Sequence, residues 1–151
     1  MDLSIIIPLF NEEENVKPVI AEIQAAVDPL SKRYEIVVVD DGSRDNTFQI
    51  LAQMYRSEPH LRVIRLKRNF GQTAALAAGL SHARGEIIIM MDGDAQNDPA
   101  DIPPLLQTLE QGYDLVCGWR YRRKDPLLRR RLPSWIANSL ISWATQVKLH
   151  D

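Results

Sequence analysis

The segment MMDGDAQNDP (90–99) places three aspartates within seven residues, directly after an apolar run. Carboxylates this close raise the cost of ionising one another, so either water solvates a surface loop or a cation binds among them. Asp92 and Asp94 flank Gly93, and residues two apart in extended backbone point the same way. Both could therefore bind one hard cation or link it to a diphosphate, with Gln96 adding a third oxygen. Oxygen ligands with room for water favour Mg²⁺ or Mn²⁺.

Two other interpretations of this segment exist. An EF-hand loop has similar letters, but it needs glycine at its sixth position and glutamate at its twelfth, where this chain has Asn97 and Pro103. A plain polar turn is the other interpretation, with Asp98 capping the helix that follows. We expect the turn for Asp98, and metal or diphosphate binding for Asp92 and Asp94.

A second acidic pair lies in VVVDDGS (37–43). Acidic residues at strand ends accept hydrogen bonds from nucleosides in nucleotide-binding folds, and Asp40 or Asp41 could do so here. A turn followed by a helix cap is the alternative explanation for the same two aspartates. Phosphoacceptor domains also carry acidic pairs at strand ends, but they need a lysine at a later strand end, where this chain has Arg120.

The segment IIPLFNEEEN (6–15) is a third candidate. Pro8 cannot donate to a strand ladder, so it marks a strand end or a bulge. Phe10 could pack on a flat base and Glu12 could bind the edge of that base. The alternative for Glu12 to Glu14 is an acidic first helical turn, which the helix dipole favours.

Short apolar runs alternate along the chain with helical patterns. Because the apolar runs lack polar alternation, they indicate a mostly parallel sheet covered on both faces, which is an α/β doubly wound fold. In such sheets ligands bind beyond the carboxyl ends of the strands, and most of the unusual residues follow strands, including RNFGQ (68–72). The predicted strands cover 3–10, 34–40, 61–67, 86–92 and 113–120, with helices between them and a final helix over 133–149.

Three local expectations follow from the same pattern. Ser43 or Asp45 should cap the second helix, and Gly85 should form the C-cap of the third. Cys117 should be a small buried residue of the fifth strand, and as the single cysteine it excludes an internal disulfide.

The composition is that of a globular protein, with 151 residues of which 45% are hydrophobic and 25% charged. We find no repeat and no linker, so we expect one domain. The first residues lack the basic lead and apolar length of a signal peptide, and no stretch approaches the roughly 20 apolar residues of a membrane span. We therefore expect a cytoplasmic protein that is soluble or peripheral to a membrane.

The charge of the chain is unevenly distributed. Residues 120–131 hold seven basic residues and one acidic residue, a net +6, whereas the whole chain carries −2. A basic segment on an acidic body indicates a local anionic partner rather than a nucleic acid. The amphipathic helix 134–147 follows, and basic residues beside tryptophan and leucine suit a membrane surface. A solvated loop before an ordinary core helix is the alternative.

Several common motifs are absent from the sequence. It contains neither the GxGxxG dinucleotide fingerprint nor the GxxxxGK[ST] phosphate loop. His60, His82 and His150 have no metal-ligand spacing, and no Ser-His-Asp arrangement is indicated.

Four segments, taken together and in their order along the chain, resemble family 2 glycosyltransferases with the GT-A fold. They are IIPLFNEEEN, EIVVVDDGSRDNT, RNFGQTAALAAGLSHARGEIIIMMDGDAQNDP and DLVCGWRY. The likeness covers essentially the whole chain and is greatest to polyprenyl-phosphate glycosyltransferases, the group that includes dolichyl-phosphate mannose synthases.

The resemblance implies a role for individual residues. The DxD motif of the family matches Asp92, Gly93 and Asp94, which would bind the diphosphate and, with Gln96, a divalent Mg²⁺ or Mn²⁺. The nucleotide would be held by the residues that match the family at Pro8, Phe10, Glu12, Val39 and Asp41. Arg120 matches the arginine of the GSRY motif and would approach the diphosphate, so Asp94 and Arg120 are the expected catalytic residues. Trp119 replaces the usual serine, and Ala95 the usual leucine.

The resemblance also implies a reaction. The donor would be a UDP- or GDP-linked sugar and the acceptor a polyprenyl phosphate, whose oxygen is already anionic and needs no general base. Attack would invert the anomeric carbon, and the metal would neutralise charge on the leaving diphosphate. Arg130 and Ser134 match positions that bind the lipid phosphate. The enzyme would lie at the cytoplasmic face of the membrane, and the segments 120–131 and 134–147 would contact that surface.

Other functions fit the same residues less well. A sugar nucleotidyltransferase needs a glycine-rich basic loop after the first strand, which LFNEEEN does not provide. A family 2 enzyme acting on a polysaccharide or another non-lipid acceptor is closer, as is a donor-binding fragment without turnover. The family normally continues further, so we expect residues 1–151 to form a single GT-A domain truncated at its C-terminus.

Overall fold

Four parallel strands form the sheet in the computed structural model, which describes residues 1–94 and 97–118. The strands are β1 (Leu3–Leu9), β2 (Tyr34–Asp40), β3 (Leu61–Arg65) and β4 (Ile87–Met90). The helices are α1 (Val16–Val27), α2 (Thr47–Met54), α3 (Gln72–His82) and α4 (Ile102–Leu109), with 3₁₀ turns at Asp28–Leu30 and Pro99–Asp101. The chain divides into two compact units, residues 1–106 and 107–151, and the sheet lies in the first.

The strand order is β3-β2-β1-β4, and every pairing is parallel. β1 and β2 lie in the centre, where all seven residues of β2 and six of the seven in β1 are buried. Burial of consecutive residues means that both faces are covered, as the unbroken apolar runs predict. The predicted α/β class with a mostly parallel sheet is confirmed.

The two faces of the sheet pack against different helices. Alternate β1 residues such as Ile5 and Ile7 join the apolar stripe of α1 in one core. On the opposite face α3 lies close to β1: a Cβ added at Gly79 would be only 2.4 Å from Cγ2 of Ile6. Glycine at this position lets the helix backbone approach the sheet.

The helix ends differ partly from the predictions. Asp98 caps the 3₁₀ turn as expected, since its carboxylate accepts a hydrogen bond of 2.9 Å from Ala100 N. The N-cap of α2 is Asn46 rather than Ser43 or Asp45, and its side chain makes no capping hydrogen bond. Asp45, one residue earlier, accepts a hydrogen bond of 3.0 Å from Thr47 N. The prediction for Gly85 is wrong: α3 ends at His82, and Gly85 instead packs against β1, where a Cβ would be 2.4 Å from Ser4 N.

The predicted fifth strand is also wrong for the residues described. Residues 113–118 form neither strand nor helix, and Cys117 is exposed rather than buried. The apolar residues of this segment predict burial, but a strand also needs a neighbouring backbone to pair with. Within the described chain β4 pairs only with β1. Residues 119–120 and the predicted final helix 133–149 lie outside the described residues.

Candidate active site

A cleft of about 330 Å³ opens at the carboxyl ends of the strands. This is the edge at which parallel α/β sheets bind ligands, as the sequence pattern predicted. Each of the four strands is followed by a loop that contributes to the cleft. The lining residues are Pro8, Leu9, Phe10, Glu12, Asp41, Asn69, Gly71, Gln72, Asp92, Gly93 and Asp94.

Asp92 and Asp94 both line the cleft. Gly93 between them is buried against β1, where an added Cβ would lie only 2.0 Å from Cδ2 of Leu9. The close contact explains the spacing: the middle residue faces the core, and the aspartates on either side reach the cleft. Gln96, the third expected ligand, lies outside the described residues.

The possible metal ligands in the cleft suit a hard divalent cation. Among residues 1–94 and 97–118 no group of three or more His, Cys, Asp or Glu side chains could hold a metal alone. Asp92 and Asp94 would therefore supply two oxygen ligands, and diphosphate oxygens and water would complete the sphere. Mg²⁺ and Mn²⁺ are commonly bound in this way, with few carboxylates and substrate phosphates, so the residues present fit the predicted ion.

Asp41 reaches the cleft, whereas Asp40 does not. Asp41 is 3% exposed, and its two carboxylate oxygens accept hydrogen bonds of 2.8 Å each from the amides of Phe70 and Gly71. Asp40 is completely buried, accepts from Ser43 N at 3.0 Å, and lies 3.5 Å from the guanidinium of Arg65. The structure thus separates the pair into a cleft residue and a structural residue.

Gly42 allows the loop after β3 to approach the end of β2 beside Asp41. Its φ is +68°, and an added Cβ would be 2.4 Å from the carbonyl carbon of Arg68. Both the left-handed backbone and the close contact require glycine. Asp41 and Gly42 together therefore hold residues 68–71 against the end of β2.

Pro8, Phe10 and Glu12 also line the cleft. Phe10 is 39% exposed, which leaves its ring available to a ligand. The Glu12 carboxylate accepts a hydrogen bond of 2.6 Å from the side chain of Asn15. The alternative of an acidic first helical turn is wrong, because α1 begins only at Val16 and has no acidic residue in that turn.

The loops that follow β1 and β2 are joined by hydrogen bonds. Each bond joins a main-chain amide of one loop to a side chain of the other. They are Asn11 N to Ser43 Oγ (2.9 Å), Glu12 N to Thr47 Oγ1 (2.9 Å), Glu13 N to Asp45 Oδ2 (3.2 Å), Arg44 N to Asn11 Oδ1 (2.8 Å) and Asn46 N to Glu13 Oε2 (2.9 Å). Partial burial acts to raise the pKa of Asp45, but hydrogen bonds from Thr47 and Glu13 outweigh it, so this pKa lies below its ordinary value.

The structure does not bring Val39 to the cleft. Its side chain is completely buried on the face covered by α3, where its Cγ2 would be 3.3 Å from a Cβ at Gly79. Val39 and Asp41 would share a face in a continuous strand, but β2 ends at Asp40 and the backbone turns there. Val39 is therefore not among the residues that line the cleft.

Besides Leu9, three cleft residues were not singled out from the sequence: Asn69, Gly71 and Gln72. Their signal was the segment RNFGQ, which follows a strand but contains no acidic residue and no common motif. Gln72 is of particular interest because its Nε2 donates a hydrogen bond of 2.6 Å to Oδ1 of Asp92.

Several predicted functional residues lie outside the described residues: Arg120, Arg130, Ser134, the basic segment 120–131 and the helix 134–147. Within the described part of the chain, no helix combines the length and hydropathy that a transmembrane span requires.

The fold and the cleft define an α/β domain whose candidate ligand site lies at the carboxyl ends of parallel strands. The sequence profile of "Glycosyl transferase family 2" matches residues 4–149. This chain therefore belongs to glycosyl transferase family 2, as the resemblance of its motifs predicted.

Two curated relatives are similar over almost the whole chain. Dodecaprenyl-phosphate galacturonate synthase of Rhizobium johnstonii is 49% identical, covering 100% of this chain and 45% of the relative. Undecaprenyl-phosphate 4-deoxy-4-formamido-L-arabinose transferase of Shewanella sediminis is 43% identical, covering 99% and 45%. The chain thus spans about half the length of the curated relatives that it matches.

Solved structures show the same fold. The mannosyltransferase PcManGT from Pyrobaculum calidifontis, in complex with GDP-Man and Mn²⁺, superimposes with a TM-score of 0.64 at 25% identity, covering 78% of this chain and 35% of that one. TarS of S. aureus in complex with UDP-GlcNAc gives 0.61 at 22% identity, covering 87% and 42%, which shows the fold alone. The predicted GT-A fold is confirmed.

Proposed function

We propose that this chain is the donor-binding part of an enzyme that transfers a sugar from a nucleoside-diphosphate sugar to a polyprenyl phosphate. The observation that carries the proposal is the cleft itself, which brings Asp41, Asp92 and Asp94 together at the carboxyl ends of the strands. The two curated relatives, both named as acting with polyprenyl phosphates, support the acceptor class.

The nucleotide would occupy the wall formed by the loops after β1 and β2. The half-exposed ring of Phe10 offers a stacking surface for a base, with Pro8 beside it. The carboxylates of Glu12 and Asp41 would accept hydrogen bonds from the base or the ribose. A UDP- or GDP-linked donor would suit this wall equally well.

The diphosphate would lie over the end of β4. Asp92 and Asp94, with Gln96, would hold Mg²⁺ or Mn²⁺ and through it the two phosphates. When bound, such an ion neutralises negative charge that develops on the leaving diphosphate. Arg120 would add a second positive charge at the same place.

The reaction would need little proton chemistry from the protein. An anionic oxygen of the lipid phosphate forms a bond to the anomeric carbon as the bond to the nucleoside diphosphate breaks, so the configuration at that carbon inverts. The bonding electrons leave with the diphosphate, and no proton has to be removed from the acceptor. Catalysis would rest on positioning and on electrostatic stabilisation of the leaving group.

The acceptor would be bound by the C-terminal part of the chain. Arg130 and Ser134 would hold the lipid phosphate, and the segments 120–131 and 134–147 would contact the cytoplasmic face of the membrane. Anionic lipid surfaces attract such basic segments, at about 1 kcal/mol per basic residue.

Calorimetry tests the donor site. UDP- and GDP-sugars would be titrated into the protein with Mn²⁺ or with EDTA, using wild type, Asp94→Ala and the control Asp101→Ala, an exposed aspartate outside the cleft. We expect metal-dependent binding that Asp94→Ala weakens more than about tenfold, since even outer-shell partners of a metal often contribute that much. Metal-independent binding, or equal loss in both variants, would contradict the proposed site.

Turnover tests the acceptor. Radiolabelled sugar should move from the donor to undecaprenyl phosphate in detergent or vesicles. Transfer to a polysaccharide but not to the lipid would overturn the lipid-acceptor proposal, and donor binding without transfer to either acceptor would favour a donor-binding fragment without turnover.

A further inference from the structure

Gln72, the first residue of α3, contacts one of the two DxD carboxylates. Its Nε2 lies 2.6 Å from Oδ1 of Asp92, and both residues line the cleft. A carboxylate can only accept hydrogen bonds, so the amide nitrogen must be the group that faces it. The bond joins residues that are twenty positions apart and belong to different elements.

The backbone beneath Gln72 is held in place by Asp41. The amide of Gly71 donates to Asp41 Oδ2 at 2.8 Å, while the carbonyl of Gly71 accepts from Ala74 N and Ala75 N at 3.0 and 3.1 Å. The residue directly before Gln72 is thus fixed both to the end of β2 and to the first turn of α3. This anchoring fixes the backbone position from which the Gln72 side chain extends to Asp92.

The chemistry of an amide suits this position. Asp92 and Asp94 carry like charges, and a lysine or arginine beside them would relieve the repulsion but would also compete with a cation. A glutamine donates to one oxygen of Asp92 without adding charge. It can therefore restrict the rotation of the carboxylate and still leave the electrostatic attraction for a divalent ion intact.

We propose that Gln72 is a positioning residue, which orients the Asp92 carboxylate for binding the metal and the diphosphate of the donor. The inference rests on the proposed function, because it assigns Gln72 a role in that same site. Outer-shell hydrogen bonds of this kind typically contribute 10- to 100-fold to metal affinity.

The test is a double-mutant cycle read out by bound Mn²⁺. Gln72→Met keeps the length of the side chain but removes the donor, and Asp92→Asn removes the charged acceptor. Thr73→Ala is the matched control, since Thr73 is exposed on the same helix and does not line the cleft. Electron paramagnetic resonance measures free Mn²⁺ in the presence of saturating UDP or GDP, and thermal unfolding checks that each variant is folded.

We expect Gln72→Met to weaken Mn²⁺ binding about tenfold in the wild-type background, less than about twofold in the Asp92→Asn background, and Thr73→Ala to have no effect. Equal effects of Gln72→Met in both backgrounds, or an effect no larger than that of Thr73→Ala, would overturn the positioning role while the donor site stood. If the wild type itself bound no Mn²⁺ with either nucleotide, the metal part of the proposed function would fail, and this inference with it.

Discussion

Replacing Asp41 by alanine removes the acceptor for two main-chain amides at once. The amides of Phe70 and Gly71 each donate a 2.8 Å hydrogen bond to this nearly buried carboxylate. A hydrogen bond to a charged group contributes about 1.5–3 kcal/mol to stability. Because Phe70 is half exposed and water can reach this loop, we take the lower end, and the two bonds give a loss of about 3 kcal/mol in the free energy of unfolding.

Urea unfolding followed by circular dichroism measures that loss. With an m-value of about 1–3 kcal/mol/M, the midpoint should fall by about 1–3 M. Asp41→Asn should lose less, about 2 kcal/mol, because the carboxamide keeps one acceptor but turns its NH₂ group toward the second amide. Glu22→Ala, an exposed position in α1, is the control and should remain within about 0.5 kcal/mol of wild type.

Hydrogen exchange adds a local measurement. The amide protons of Phe70 and Gly71 should lose about tenfold or more in protection in Asp41→Ala. If that variant unfolded at the same urea concentration as wild type and both amides kept their protection, Asp41 would not be holding the loop. The support that we describe for Gln72 would then also have to come from elsewhere.

Two further predictions concern the sheet, away from the cleft. Burial acts to raise the pKa of Glu35, but hydrogen bonds from Ser4 and Arg62 outweigh it, so this pKa lies below its ordinary value. The stability from Glu35 is therefore present above the ordinary glutamate pKa of about 4.3 and is lost as the pH falls through the lower folded value. Urea unfolding of wild type and Glu35→Gln should differ by about 2 kcal/mol at pH 7 and converge once the pH is below that folded value. Gly79→Ala places a Cβ 2.4 Å from Ile6 Cγ2, and overpacking of about 1–3 kcal/mol should exceed the gain of about 1 kcal/mol in helix propensity. A thermal melt should therefore show a lower midpoint for Gly79→Ala, and an unchanged or higher midpoint would mean that α3 shifts freely on the sheet.

The central part of the fold was readable from the sequence because its signals are local. The runs LSIIIPLF and YEIVVVD hold consecutive apolar residues without polar alternation, as a strand covered on both faces requires, and β1 and β2 match them to within one residue. Asp92 and Asp94 reach the cleft because parallel strands end at a common edge, a rule that needs no knowledge of side-chain contacts.

The errors arise where a residue depends on a distant partner. The family resemblance assigned Val39 to the nucleotide site, but β2 ends at Asp40, and the turn there changes which side chains reach the cleft. The segment 113–118 is apolar enough for a strand, yet pairing is decided by a neighbouring backbone. The contact between Gln72 and Asp92 joins the first residue of α3 to the loop after β4, and their approach depends on how α3 packs against β1, which no local pattern encodes.

The hydrogen bonds between the loops after β1 and β2 have a consequence for the thermodynamics of ligand binding. Residues 11–13 and 43–47 hold each other through main-chain amides, so neither loop can open alone without breaking bonds to the other. Ordering a free loop on binding costs conformational entropy, and a wall that is already ordered avoids most of that cost. If a nucleotide binds this side of the cleft as proposed, it would meet a preorganised surface, and more of its contact energy would appear as affinity.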